Sequence, residues 1–73
     1  MLLNTKLIKQ KRIEKGMSQE QLGKALMYYG RWQISRIENG QLQDLPLSRV
    51  IMMSRVLEIE IQDLVKGGYR KEK

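Results

Sequence analysis

Two stretches of the chain decide its fold: SQEQLGKAL at residues 18–26 and QISRIENG at residues 33–40. In the first, Ser18 and Gln21 have the spacing of a capping box, which predicts that a helix begins directly after the serine. The second has isoleucines three positions apart on one helix face and closes with Asn-Gly, a helix stop signal. Between them, the Tyr-Tyr-Gly of residues 28–30 is typical of a turn. The sequence therefore predicts two short helices joined by a turn.

Start and stop signals on either side of this unit extend it to a bundle of five short helices. Gly16 is expected to end the first helix, Pro46 to lie in the first turn of the fourth, and Gly67-Gly68 to follow the fifth. Runs of alternating β-branched residues are missing, so strands are not expected. A single domain is expected over residues 1–66, followed by a basic tail at 67–73. The predicted helices cover about residues 4–15, 19–27, 31–39, 44–57 and 60–65.

Composition narrows the class of function. The 73 residues include 14 Lys and Arg against 8 Asp and Glu, for a net charge of +6, and neither Cys nor His. Those two absences exclude Cys/His zinc sites, disulfides, cysteine nucleophiles and histidine bases, and they leave the serines with no base to activate them. We therefore expect no enzyme, no metal, no cofactor and no small-molecule ligand. No apolar run approaches the ~20 residues of a membrane span, so the expected class is a soluble cytoplasmic module.

The positive charge is concentrated in the first half of the chain. Residues 1–36 include eight basic and two acidic residues, whereas residues 37–65 include two basic and five acidic residues. This asymmetry predicts that the first half contacts a polyanion and that the acidic middle of the chain serves as scaffold.

An ordered series of residues from about Leu7 to Val65 resembles the helix-turn-helix of the Cro/C1-type (XRE-like) family of transcriptional regulators. The matching positions are Arg12, Gly16, Gln19, Leu22, Gly23, Ile34, Ile37, Glu38 and Gly40. The resemblance implies an all-α, five-helix, lambda-repressor-like domain that binds double-stranded DNA. At Gly23 the second and third helices are expected to cross closely, leaving room for nothing larger than alanine. A partly buried Arg12–Glu38 ion pair is expected to join the first helix to the end of the third.

The resemblance also implies which residues contact DNA. The third helix would place its N-terminal turn in the major groove, where arginine pairs with guanine and glutamine with adenine. For Trp32 three placements stay open: against a thymine methyl group, stacked against a sugar, or packed on the Tyr28-Tyr29 turn. The side chains expected to read bases are Arg31, Trp32, Gln33, Ser35 and Arg36. The groups expected near phosphates are Gln19, Asn39 and the backbone of Gly40 and Gln41, with general electrostatic attraction from Lys6, Lys9, Lys15 and Lys24.

The chain departs from the family pattern at two helix ends. Met27 follows Leu26 where a small residue, usually glycine, is normal, and the turn to the third helix is one residue longer. Glu58 likewise follows Leu57 where a left-handed glycine is usual, so backbone strain is expected there. With the longer turn, the residue that begins the third helix can move by one position.

The fourth and fifth helices have more apolar residues than one buried face needs. A second apolar face predicts a homodimer, which would place two recognition helices ~34 Å apart on a palindromic operator. The leading hypothesis is a repressor acting by steric exclusion, and the resemblance implies one of the phage, mobile-element or controller-protein type. The alternative is an antitoxin-like interaction module whose apolar fourth and fifth helices bind another protein. The positive net charge and the polar third helix favour DNA as the partner. The surplus apolar residues are Met52, Val56, Ile61 and Val65.

Overall fold

The computed structural model describes residues 2–66, which fold into five helices and one short pair of strands. In chain order the elements are β1 (Leu2–Leu3), α1 (Thr5–Glu14), α2 (Gln19–Ala25), α3 (Trp32–Glu38), α4 (Leu47–Leu57), α5 (Ile61–Leu64) and β2 (Val65–Lys66). The all-α, five-helix architecture expected from the sequence is confirmed. Within residues 2–66 none of the helices is long and apolar enough to span a membrane. The tail expected at residues 67–73 lies outside the described residues.

The strand pair joins the two ends of the described chain. Leu3 of β1 lies opposite Val65 of β2 in antiparallel register, and the Asn4 N–H donates to the Leu64 carbonyl at 2.8 Å. The Asn4 side chain then caps α1 by accepting from the Leu7 N–H at 3.3 Å. The expectation of no strands is therefore wrong at the two ends, because two-residue strands leave no alternating pattern to detect.

The fourth helix begins later than expected. Pro46 is not in its first turn but precedes it as the N-cap, with φ −60° and ψ 149°, and α4 begins at Leu47. The residue before a proline is disfavoured in the helical region, so Leu45 does not join the helix. Its side chain is buried in the core instead. The other helix boundaries agree with those expected to within two residues.

One apolar core lies between the helices and includes residues from all five helices and both strands. Burying each such side chain contributes about 1.5–3 kcal/mol relative to leaving it in water, and a small domain without disulfides depends on this contribution. Val65, expected on a dimer surface, is buried here, because β2 pairs with β1 and turns this side chain into the core. The buried apolar residues are Leu3, Ile8, Leu22, Leu26, Ile34, Ile37, Leu45, Val50, Met53, Leu57, Ile59, Leu64 and Val65.

A buried ion pair holds α3 against α1. Arg12 Nε donates to Glu38 Oε2 at 2.6 Å, and its Nη2 donates to Oε1 at 3.2 Å. The third guanidinium nitrogen, Nη1, donates to the Met17 carbonyl at 2.8 Å. The Glu38 side chain is only 3% exposed, so its charge is removed from water. This bidentate contact fixes the end of α3 relative to α1 and to the connection that precedes α2.

Two helices end at a non-glycine residue in the left-handed conformation. Met27, after α2, has φ +65°, and Glu58, after α4, has φ +57°. Gly16 and Gly40 have the same role after α1 and α3 without the penalty that a Cβ imposes. The strain expected at Glu58 is present, and Met27 adds a second strained helix end.

Replacing Met27 with glycine should stabilise the fold. The left-handed conformation costs an L-residue roughly 1–2 kcal/mol, and glycine avoids this cost while losing more chain entropy on folding. Because the Met27 side chain is 73% exposed, its loss removes little packing. We expect Met27→Gly to raise the free energy of unfolding by about 0.5–1 kcal/mol in urea denaturation. Met27→Ala, which keeps a Cβ, is the control, and an equal gain in both variants would contradict the strain argument.

Removing one partner of the ion pair should destabilise the fold more than removing both. Glu38→Ala leaves the Arg12 guanidinium buried without its carboxylate, for which we expect the free energy of unfolding to fall by about 3–5 kcal/mol. The double variant Arg12→Met with Glu38→Leu removes both charges and should lose clearly less. Urea or thermal unfolding of the two variants measures the difference, and equal stability would show that no buried charge is left unpaired.

Candidate nucleic-acid interface

The capping box at the start of α2 is formed in both directions. Ser18 Oγ accepts from the Gln21 N–H at 3.0 Å, and Gln21 Oε1 accepts from the Ser18 N–H at 2.8 Å. Two reciprocal hydrogen bonds thus determine where the first helix of the helix–turn–helix unit begins.

The turn between α2 and α3 lies directly on Gly23. A Cβ on Gly23 would clash with the Gly30 carbonyl oxygen and would lie 3.5 Å from Ile34 Cγ1. The space at Gly23 is therefore tighter than the sequence suggests, because even alanine is too large. The obstacle is the backbone of the turn and not the crossing of the two helix axes. The Gly23 carbonyl also accepts the Tyr28 N–H at 2.8 Å. Both contacts determine the path of the chain into α3.

One face of α3, together with the residue before it, is open to solvent. Trp32 and Arg36 stand four residues apart on this face, and Arg31 precedes the helix as its N-cap without a side-chain capping bond. On the opposite face Ile34 and Ile37 are fully buried, which fixes the rotation of the helix. Three predicted base-reading residues are thus brought together on one surface. We call Arg31, Trp32 and Arg36 the α3 face.

Gln33 and Ser35, the other two residues expected to read bases, are less accessible. Both are half-buried. The Oε1 atom of Gln33 is enclosed and has no hydrogen-bond partner among the described residues. These two side chains lie at the margin of the α3 face rather than on it.

Trp32 is 74% exposed, so it does not pack on the turn. Of the two tyrosines there, Tyr28 is half-buried against the core, with the Arg49 guanidinium 4.7 Å from its ring centroid. Tyr29 is exposed and comes two residues before Arg31. Tyr29 is a candidate contact residue that is not among those predicted from the sequence. The signal that could have identified it is the extra residue in the turn.

The segment after α3 is less available to phosphate than expected. The Gly40 N–H donates to the Ile37 carbonyl at 3.1 Å, and the Gln41 N–H donates to the Arg36 carbonyl at 2.8 Å. Both amides therefore close the end of α3, and phosphate binding by this backbone stays a prediction. Asn39, also expected near phosphate, is exposed.

Gln19 is turned partly inward. Its Nε2 donates to Glu38 Oε1 at 3.1 Å, so the first residue of α2 is tied to the buried ion pair. One amide hydrogen of its side chain remains for another acceptor.

The four lysines expected to attract phosphates differ in their surroundings. Lys15 Nζ lies 3.1 Å from a carboxylate oxygen of Glu58, and Lys24 Nζ lies 3.7 Å from one of Glu20. Exposed pairs of this kind contribute about 0–1 kcal/mol and leave the lysines free to exchange partners. The other two are exposed on α1: Lys6 and Lys9.

The exposed charge along the turn and α3 is of one sign. From residue 27 to residue 37 the chain has two arginines and no acidic residue, and the carboxylate of Glu38 is buried against Arg12. Among residues 2–66 no group of His, Cys, Asp or Glu side chains could hold a metal ion. An exposed helix face with arginines and an aromatic ring suits a groove lined by phosphates and base edges.

Comparison with known proteins agrees with this geometry. A family model described as helix-turn-helix matches residues 8–64. No curated protein and no solved structure gives a significant match. The matched family consists of DNA-binding domains and not of enzymes. This confirms the expected DNA binding and the expectation that the protein is not an enzyme. Because the family model covers most of the chain, the protein belongs to the Cro/C1-type helix-turn-helix family.

Proposed function

We propose that the protein is a sequence-specific transcriptional regulator that binds double-stranded DNA with α3 in the major groove. The observation that carries this proposal is the α3 face, held on a helix that buried isoleucines and an ion pair keep in one orientation. In the docking geometry of helix-turn-helix proteins, the N-terminal residues of the second helix contact base edges. Arg31 or Arg36 suits guanine O6 and N7, which arginine contacts in a bidentate way.

Phosphate contacts would surround this face. Gln19 stands at the first position of α2 with one side-chain amide hydrogen to spare, and Asn39 is exposed directly after α3. Lys6 and Lys9 add positive charge from α1. Contacts of this kind hold the protein in register, while the α3 face reads the sequence.

We also propose that the protein acts as a homodimer. Met52 and Val56 of α4 and Ile61 of α5 are half-buried at the edge of the core, and Leu47 at the start of α4 is exposed. Packing α4 and α5 of two copies together would cover these side chains. A two-fold dimer would place two α3 faces about 34 Å apart, which matches one turn of DNA and a palindromic operator.

Regulation would then be steric. A dimer on its operator excludes polymerase from the same DNA, so we propose that the protein represses transcription. The resemblance to the Cro/C1-type family supports a phage, mobile-element or controller-protein role in the cytoplasm.

A second function would use the same apolar residues differently. An antitoxin-like module would bind another protein through α4 and α5 instead of a second copy of the chain. The half-buried Met52, Val56 and Ile61 are the observation in its favour. The basic α3 face favours DNA as the main partner.

Selection from a random pool of double-stranded DNA should yield a specific, palindromic site. On that site Arg36→Ala should weaken binding by about 1–3 kcal/mol and relax the preference at one base pair. Arg36→Lys is the matched control: it keeps the charge and the salt dependence but loses the bidentate geometry and hence the base preference. Fluorescence anisotropy at several salt concentrations measures both effects. Unchanged base preference in both variants would rule out Arg36 as a base-reading residue.

Sedimentation at micromolar concentration should show a particle of twice the 8.6 kDa monomer mass. Met52→Glu places a charge in the proposed interface and should give monomers, whereas Ile13→Glu, at an exposed apolar residue of α1, should remain dimeric. Circular dichroism checks that both variants keep their helices. A wild-type monomer that forms a stoichiometric complex with another protein, without salt-sensitive DNA binding, would favour the second function.

A further inference from the structure

We infer that Tyr29 and Trp32 form an apolar contact surface for the C5-methyl group of a pyrimidine in the major groove. Thymine and 5-methylcytosine both carry this group. The inference rests on the proposed function, since it requires α3 to lie in the groove. We refer to Tyr29 and Trp32 as the aromatic pair.

Exposed apolar side chains are concentrated beside α3. Five large apolar residues are exposed among the described residues, and three of them lie between positions 27 and 32. Within the aromatic pair, Tyr29 is 95% exposed and Trp32 is 74% exposed. Large rings of this kind bury most of their surface in a core and supply contact area in a binding site. Both rings are therefore available to a ligand that covers the N-terminal end of α3.

The turn keeps the aromatic pair outside the core. Tyr28 occupies the inner side of the turn, under the guanidinium of Arg49. The Gly30 backbone rests on Gly23, where no Cβ would fit. The turn cannot move inward without displacing one of these contacts, so the extra residue of the turn projects outward.

The charges around the aromatic pair favour DNA as the covering partner. Arg31 lies between the two rings in sequence, and Arg36 follows Trp32 by four residues on the same helix face. Residues 27–37 include no acidic residue. The exposed rings alternate with arginines along the chain, at the end of the helix proposed to enter the groove, and so adjoin the proposed DNA contact.

The C5-methyl group is the apolar feature of base edges in the major groove. The other groups on those edges are hydrogen-bond donors and acceptors, for which the face of an aromatic ring offers no matched partner. Burying one methyl group away from water corresponds to about a fourfold change in the dissociation constant. The aromatic pair should therefore favour sites that carry a C5-methylated pyrimidine beside the base pair contacted by arginine.

The test uses the full chain and the site selected from random DNA. Each thymine is replaced singly by deoxyuridine, which removes only the methyl group, and each cytosine singly by 5-methylcytosine, which adds one. We expect at least one deoxyuridine to raise the dissociation constant about fourfold, or one 5-methylcytosine to lower it about fourfold. In the double variant Tyr29→Ala with Trp32→Ala this effect should fall below about twofold. Ile13→Ala, at an exposed apolar residue of α1, is the matched control and should keep the full methyl effect.

The outcomes separate the inference from the proposed function. A deoxyuridine effect that disappears in the double variant supports contact with thymine, and a 5-methylcytosine effect that disappears supports contact with the methylated cytosine. A methyl effect of equal size in the double variant overturns the inference, because another residue then reads the methyl group. Absence of any methyl effect also overturns it, while salt-sensitive binding that depends on Arg36 would leave the proposed function standing. Without salt-sensitive binding to any DNA, the proposed function and the inference both fail.

Discussion

The buried pairing of Arg12 with Glu38 is the contact on which the arrangement of the helices depends. The guanidinium donates to three acceptors, both carboxylate oxygens of Glu38 and the Met17 carbonyl. It therefore joins the C-terminal half of α1, the connection into α2 and the last turn of α3 at one point. Gln19 donates to the same carboxylate at 3.1 Å. A buried carboxylate with several donors is compensated for its lost hydration, which is the condition under which an ion pair can hold elements in one orientation.

The same pairing determines which charge α3 shows to solvent. The helix has one basic and one acidic residue, Arg36 and Glu38. Because Arg12 and burial remove the carboxylate from the surface, the exposed side of the helix keeps the positive charge alone. Elsewhere some of the net charge of +6 is locally offset, since Lys15 and Lys24 each lie beside a glutamate. The arginines of the α3 face have no such neighbour among residues 27–37, so they are the charges best placed to meet a polyanion.

Local hydrogen bonding can be predicted from this sequence, whereas contacts between distant segments cannot. The capping box of Ser18 and Gln21 involves neighbours, and the structure forms it as their spacing predicts. The pairing of Leu3 with Val65 joins opposite ends of the domain through two-residue strands, so Val65 reads in the sequence as a surplus apolar residue. Gly23 can be recognised as a close approach from the family resemblance. That its obstacle is a turn carbonyl depends on the longer turn, whose path no sequence pattern specifies.

The longer turn and the start of α3 include one feature that lowers the stability of the free protein and one that adds nothing to it. Met27 keeps a left-handed backbone without being glycine, at a cost of roughly 1–2 kcal/mol. The aromatic pair leaves two large rings in water, as they are in the unfolded chain, so it contributes little to folding. A turn with a glycine and small residues would avoid the strain and would lose little by omitting the rings, so neither feature follows from the requirements of folding. Strained or exposed features that a fold does not need are typical of surfaces that a partner covers. We therefore regard the turn, and not α3 alone, as part of the surface that we propose for DNA binding.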